Sequence, residues 1–289
     1  MEMKAVVWNC RGAESPLTVP QLREVIRLHS PSLVFLSETK KKKTYLNKVM
    51  QWTKFDKVFV VDHVGKAGGL AVMWKQELRV KKVLFSSFTI ELQIEDEETR
   101  VNWWCSCVYA STDVGIRREQ WEVVTRRSAL WGEYWAVMGD FNDITSNDEK
   151  WVGVLRAEIS FQDFTSFINK NELVDNGFEG IPWTWSNKWD NEGVIRERLD
   201  RVLVTGGWYN RFRNASCRHM ETEASDHSML LFETKPAIVK KWRNRFVFDR
   251  NWLQHKEVGN IVKSAWNNSC VGSRFFRLQF KIKQCRMAL

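Results

Sequence analysis

The stretch that most restricts how this chain can fold is Ala136-Val137-Met138, entered through Tyr134-Trp135 and left through Gly139-Asp140-Phe141-Asn142. An apolar run this short, closed by glycine and small polar residues, reads as a buried strand that turns at its C-terminal edge. Asp140 is a potential proton acceptor there, and Asn142 carries both a donor and an acceptor on a short stem. Held rigidly, the two are suited to activating a water and gripping a phosphoryl oxygen. Taken alone, the plainer reading is an Asx-turn capping a strand.

The pattern recurs. Residues 4–8 are strand-like and end at Asn9-Cys10-Arg11-Gly12. Leu22, Val25, Ile26 and Leu28 then recur at roughly helical spacing over 21–29, and Pro31 stops that helix. Residues 33–36 form a second buried strand, ending at Ser37-Glu38-Thr39. A helix between two such strands makes them sheet neighbours, so Asn9 and Glu38 stand at the same kind of edge. The four lysines 40–43 that follow read as a solvated loop or helix start; beside Glu38 they are also placed to meet a phosphate backbone. Strand patterns continue at 57–61 and 70–74, separated by a turn at 65–69. Residues 79–85, 88–94 and 101–109 alternate like an antiparallel meander, with Glu95-Asp96-Glu97-Glu98 as a connecting turn and Tyr109 as another polar tip. A helix is expected over 117–130. Ser160-Phe161-Gln162-Asp163 resembles a capping box ahead of Phe164, Phe167 and Ile168. Trp183-Thr184-Trp185-Ser186 is an aromatic strand or loop, 198–204 alternates up to Gly206-Gly207, and Ser225-Asp226-His227 precedes a last buried strand at 229–232.

With 289 residues, 44% of them apolar, there is material for a sizeable core in one large or two small domains. No run of 18 apolar residues is present, and the N-terminus carries no signal-peptide pattern, so an intracellular protein with no membrane span is expected. Of six cysteines only Cys105 and Cys107 are close; two apart on one face of a strand, they suit the core better than a metal. The net charge of +9 is concentrated after Lys235: residues 236–289 hold 12 Lys/Arg against two acids, whereas residues 1–235 hold 32 against 33. A boundary is therefore expected there, followed by a basic aromatic tail with one or two helices, docked loosely or awaiting an anionic partner.

Collected in order, Trp8-Asn9-Cys10-Arg11-Gly12, Ser37-Glu38-Thr39, Gly139-Asp140-Phe141-Asn142, Arg198-Leu199-Asp200-Arg201 and Ser225-Asp226-His227 resemble the endonuclease/exonuclease/phosphatase superfamily over roughly residues 3–235. Val108-Tyr109-Ala110-Ser111, Trp183-Thr184-Trp185-Ser186-Asn187 and Arg196-Glu197-Arg198-Leu199-Asp200-Arg201-Val202-Leu203 are similar to the endonuclease domain of plant-type LINE (non-LTR) retrotransposons. The stretch from Phe246-Val247-Phe248-Asp249 through Trp252 to Trp266-Asn267 resembles the linker to a reverse transcriptase, which implies a fragment of a longer element protein. The resemblance implies a DNase I-like fold: a four-layer α/β/β/α sandwich with two packed mixed sheets over 1–235. It also implies a Mg²⁺-dependent endonuclease, with Mn²⁺ as an alternative metal, that nicks double-stranded DNA in the nucleus. Element RNA is a further partner for the tail at 236–289.

The residues suit that chemistry independently. Phosphodiester hydrolysis needs an activated water, neutralised phosphoryl oxygens and help for the leaving alkoxide, and a hard divalent cation on oxygen ligands supplies charge stabilisation. Glu38 is the best direct ligand, with Asn9 beside it and Asp226 completing the site. Asp140 takes the water's proton, while Asn142 and Tyr109 hold the phosphate or the nucleophile. His227 neutralises a phosphoryl oxygen and Asp200 fixes its tautomer. Thr184, flanked by Trp183 and Trp185, is expected on the DNA face with Arg11 and Ser225, although both tryptophans suit a core equally well; Arg11 is expected to contact other residues of the site or a phosphate. Gly68-Gly69 matches a family turn. Two departures stand out: Ala110-Ser111 follow Tyr109 where many relatives carry proline, and Trp151-Val152-Gly153 stand where a Gly-rich loop is expected. Two other readings remain at this level: a phosphomonoesterase or phosphoinositide phosphatase of the same fold, and a non-catalytic nucleic-acid-binding relic.

Overall fold

A computed structural model of the chain describes residues 2–65, 68–96, 101–189, 193–235 and 256–288. Two six-stranded mixed sheets form its centre. The first contains β1 (Lys4–Asn9), β2 (Leu33–Ser37), β3 (Lys57–Val61), β4 (Leu70–Trp74), β14 (Ser216–Met220) and β15 (Met229–Glu233), in the order β14-β15-β1-β2-β4-β3. The second contains β5 (Val80–Phe85), β6 (Thr89–Glu95), β7 (Asn102–Tyr109), β8 (Trp135–Asp140), β10 (Leu173–Asp175) and β13 (Asp200–Thr205), in the order β10-β13-β8-β7-β6-β5. Each sheet has one parallel pair at its middle, β1 with β2 and β7 with β8; the other pairings are antiparallel. Helix α1 (Thr18–His29) joins the first parallel pair and α3 (Val114–Ser128) the second. Parallel strands need such a crossover.

These central strands read as unbroken apolar runs because both of their faces are covered. Ala5, Val7 and Phe35 point into the core between the sheets, where they meet Trp103, Cys105, Cys107, Ala136 and Met138. Val6, Trp8, Val34 and Leu36 point the other way, under Leu22 of α1 and Leu46 and Val49 of α2 (Lys43–Thr53). On the far side Trp104, Val108, Trp135 and Val137 pack under Trp121 and Val124 of α3 and Phe164 and Phe167 of α4 (Gln162–Lys170). The result is the expected helix, sheet, sheet, helix stack, with both expected core cysteines between the sheets as free thiols.

A three-stranded sheet of β9 (Lys150–Trp151), β11 (Trp185–Ser186) and β12 (Arg196–Glu197) covers one end. Trp151, expected in a loop, is thus a strand residue, paired with Arg196. The helices at 21–29 and 117–130 each begin three residues earlier than the apolar spacing indicates. In α3 the cause is Asp113, whose carboxylate accepts the Ile116 N–H at 2.9 Å. The capping box at Ser160 does not form. Its hydroxyl accepts Arg156 Nε at 3.1 Å, Asp163 pairs with Arg118, and α4 is entered from a 3-10 turn.

Of the basic tail, residues 236–255 lie outside the described residues, and with them the 246–252 stretch. The remainder forms α6 (Lys256–Trp266) and α7 (Arg274–Ala288). Phe276 is buried, and the Ser273 N–H donates to Glu172 Oε1 at 2.6 Å beside β10, so these helices dock on the edge of the second sheet. Helix α5 (Gly206–Arg211) packs nearby, at the end of β13 away from Asp200. Among the described residues no helix is long and apolar enough to cross a membrane.

Candidate active site

The C-terminal ends of β1, β2, β7 and β8 open on one rim. Parallel pairing sets Asn9 beside Ser37, next to Glu38, and Tyr109 beside Asp140. Antiparallel pairing then brings the start of β13 to the same place, with Asp200 opposite Asp140. Backbone turns finish the job. Arg11, Glu38 and Asn142 take φ near +50°, a left-handed conformation that costs about 1–3 kcal/mol off glycine and gathers at functional sites. Behind Glu38, the N–H groups of Thr39 and Lys40 bond to Gly69 O and Gly68 O, so the glycine pair has its expected backbone role.

Asp140 is almost fully buried. Asn9 Nδ2 donates to its Oδ2 at 2.9 Å, and the Asn142 N–H donates to its Oδ1 at 2.9 Å. Asn142 turns its amide inward, onto Ala110 O at 2.7 Å, and so ties the Asp140 turn to the end of β7. His227 Nδ1 lies 2.9 Å from Asp200 Oδ2, while its Nε2 faces Asp140 Oδ2 at 3.8 Å and Asn9 Nδ2 at 3.5 Å. Burial and then the Asp200 charge push the Asp140 carboxyl up to about 7. Burial lowers the His227 imidazole, but Asp200 and Asp140 outweigh it and push it up to about 9.

Tyr109 and Glu38 hydrogen-bond across the rim through the phenol and Oε1. Burial raises the Glu38 carboxyl, but Tyr109, Lys40 and Arg11 together hold it below its ordinary value; burial and Glu38 hold Tyr109 protonated. Glu38 Oε2 is buried and makes no well-formed hydrogen bond, with Lys40 Nζ at 3.1 Å and Arg11 Nε at 3.8 Å. A buried carboxylate oxygen without a well-formed hydrogen bond is the kind of ligand a hard divalent metal ion takes.

Several expected roles change on inspection. Thr184 and Ser225, expected on the DNA face, are buried joints. The Thr184 hydroxyl accepts the N–H groups of Leu199 and Asp200 at 3.0 and 2.8 Å. The Ser225 hydroxyl donates to Asn9 O at 2.7 Å and accepts the His227 N–H at 3.1 Å. Asp226, expected to complete a metal site with Glu38, has Arg11 lying between them: Nη1 reaches Asp226 Oδ2 at 2.6 Å. Among the described residues the acid and histidine atoms gathered within 4.8 Å belong instead to Asp140, Asp200 and His227, a group that could hold a metal. The hydrogen bond from His227 Nδ1 to Asp200 already spends one of those ligand atoms, so Glu38 offers the more available oxygen. Trp183 is half-buried under Arg196, whose guanidinium carbon lies 4.4 Å from the ring centre, and it meets Trp151 edge-on.

A family model described as the Endonuclease/Exonuclease/phosphatase family matches residues 6–227, most of the chain and all of the rim. The chain belongs to this family. No match was found among curated proteins. Among solved structures it is similar to a Neisseria 3′ phosphatase bound to a product DNA hairpin (TM-score 0.60, 16% identity, 80% of this chain and 98% of that one). It is also similar to an AP endonuclease from Leishmania major (TM-score 0.64, 15% identity, covering 82% and 88%). A third is the endonuclease domain of TRAS1, a telomere-specific non-LTR retrotransposon (TM-score 0.60, 12% identity, covering 81% and 99%). At such identities the likeness is one of fold.

Within this family fold, three supporting contacts escaped the sequence reading. Trp8 Nε1 donates to His227 O at 3.3 Å, Trp185 Nε1 donates to Asp226 Oδ2 at 3.0 Å, and Lys40 reaches Glu38. Trp8 and Lys40 neighbour motif residues, so proximity in sequence was the available signal. Nothing local links Trp185 to Asp226, 41 positions away.

Proposed function

We propose that this chain is a divalent-metal-dependent endonuclease that nicks one strand of duplex DNA by phosphodiester hydrolysis, within a nuclear, retrotransposon-derived protein whose tail leads toward a polymerase. One observation carries the reading: Asp140 and the His227–Asp200 pair, brought from both sheets, meet beside Glu38 on a single rim. A hairpin-bound phosphatase and a retrotransposon endonuclease among proteins of similar fold support a nucleic-acid substrate.

In this reading Asp140 accepts the proton of the attacking water, its carboxylate aimed by Asn9 and Asn142. Cationic His227 neutralises a phosphoryl oxygen, and Asp200 fixes the ring by bonding Nδ1. Tyr109 holds Glu38 and faces the phosphate. Glu38, with Asn9 beside it, would hold Mg²⁺ or Mn²⁺, which supplies Lewis-acid stabilisation of the developing charge.

Conversion of supercoiled plasmid to open circles tests this directly. Nicking should require Mg²⁺, stop with EDTA, and fall about 10²–10⁴-fold in Asp140→Ala with the circular dichroism spectrum unchanged. Glu38→Ala and His227→Ala should be similarly impaired. Comparable nicking by Asp140→Ala would remove Asp140 as the base. Salt-dependent DNA binding by a wild-type chain that never nicks would leave a binding protein instead.

A further inference from the structure

Arg11 stands between two carboxylates of the rim. Its Nη1 donates to Asp226 Oδ2 at 2.6 Å and its Nε lies 3.8 Å from Glu38 Oε2. The same Asp226 oxygen accepts Trp185 Nε1 at 3.0 Å, so Oδ2 has two donors. Arg11 is also held by its backbone: its N–H donates to Asn9 Oδ1 at 3.2 Å, and its φ of 48° turns the chain back at the end of β1. Lys40, the other cation at Glu38, differs. Its ammonium sits on a flexible four-carbon stem and, among the described residues, has no second carboxylate to hold it, so an entering ion can displace it.

We propose that Arg11 is a resident cation of this centre, satisfying Asp226 Oδ2 and leaving Glu38 as the carboxylate open to metal, so that the Glu38–Asp226 side of the rim takes one divalent ion and not two. A guanidinium cannot be deprotonated in a protein, so its charge stays in place at any working pH. A divalent ion arriving at Glu38 feels that charge a few ångströms away and binds more weakly than it would without it. Removing the charge while keeping the volume lifts this repulsion and frees Asp226 to ligate. Arg11 acts here through Glu38 and Asp226 and is a positioning residue. The use of the bound ion rests on the nuclease reading; the binding does not.

Calorimetric titration of the full chain with Mn²⁺ tests this, comparing wild type with Arg11→Met, Arg11→Gln and Arg11→Lys, each checked for folding by thermal melt. Wild type and Arg11→Lys should bind one Mn²⁺ with similar affinity, and Glu38→Gln should abolish that binding. The neutral variants should bind Mn²⁺ about tenfold tighter or more, or take a second equivalent. Arg11→Gln decides the matter if Arg11→Met does not fold. Two Glu38-dependent Mn²⁺ in wild type, no Mn²⁺ in wild type, or neutral variants that gain neither affinity nor a second equivalent would overturn the proposal. A wild type that binds one Mn²⁺ but does not nick DNA fails the nuclease reading alone; one that nicks and binds two Glu38-dependent ions fails this inference alone.

Discussion

His227 lies between two carboxylates, and in the proposed mechanism the balance among the three groups sets the pH range of nicking. Asp140 acts as a base only when deprotonated, and burial with the Asp200 charge pushes its carboxyl up to about 7. His227 neutralises phosphate only when protonated, and the carboxylates push it up to about 9 against the effect of burial. Nicking rates at constant ionic strength should therefore rise with pH through about 7 and fall again above about 9. Asp200→Asn removes an upward push on both groups, so both limbs should move to lower pH, with a loss of rate at neutral pH. Limbs that stay in place in that variant would show that the profile reports other groups.

At the scale of elements, the rim depends on how closely β7 and β8 run. Gly139 has φ of +141°, and a Cβ there would lie 2.0 Å from Val108 O on the neighbouring strand. Gly139→Ala should lower stability by at least about 2 kcal/mol, read as a drop in denaturation midpoint. Helix α2 shows the reverse case. Lysines crowd its positive end: Lys42 is the N-cap without a side-chain bond, and no acid occupies the first turn. Asp62 Oδ1, from outside the helix, accepts the Lys43 N–H at 2.9 Å. Lys43→Glu should therefore raise stability by about 0.3–1 kcal/mol in chemical denaturation. β1, β2 and β8 were legible because burial on two faces leaves a run of apolar residues, whereas β7 was read from its alternation as part of a meander and its parallel pairing with β8 was not. The capping box at Ser160 was misread because a hydroxyl can bond elsewhere, and here it accepts Arg156.

Across the whole molecule, a buried ionic network fastens the small sheet to the edge of the second large one. Arg198 grips Asp175 with two bonds at 2.8 and 2.9 Å, and Arg201 grips Glu149 with two at 2.9 Å. Burial raises both carboxyls, but the arginines overcome it and hold Glu149 at about 2 and Asp175 lower still. A carboxyl depressed in the folded state stabilises at pH above its unfolded value and loses that contribution as pH falls through the folded one. Far-UV circular dichroism should thus show stability declining from about pH 4.5 towards 2. Arg201→Met should be destabilising at neutral pH, by up to about 3–5 kcal/mol, since it leaves buried Glu149 with Arg198 Nη1 at 3.2 Å as its remaining cation.

The sequence by itself indicated sheet layers covered by helices, core cysteines, one or two helices in the tail and the polar tips at strand ends, because strand runs and turn residues are local signals; that the tail docks was left to the tertiary structure. Its order of motifs also singled out Asp140, Glu38 and His227, which the fold brings to one rim. What only the tertiary structure decided is which of them touch. Strand register sets Asp200 across from Asp140, a buried serine and threonine become joints instead of surface contacts, and Arg11 fills the space between Glu38 and Asp226. Those outcomes depend on distances between residues up to 216 positions apart in this chain, and no local pattern of residue types encodes a distance.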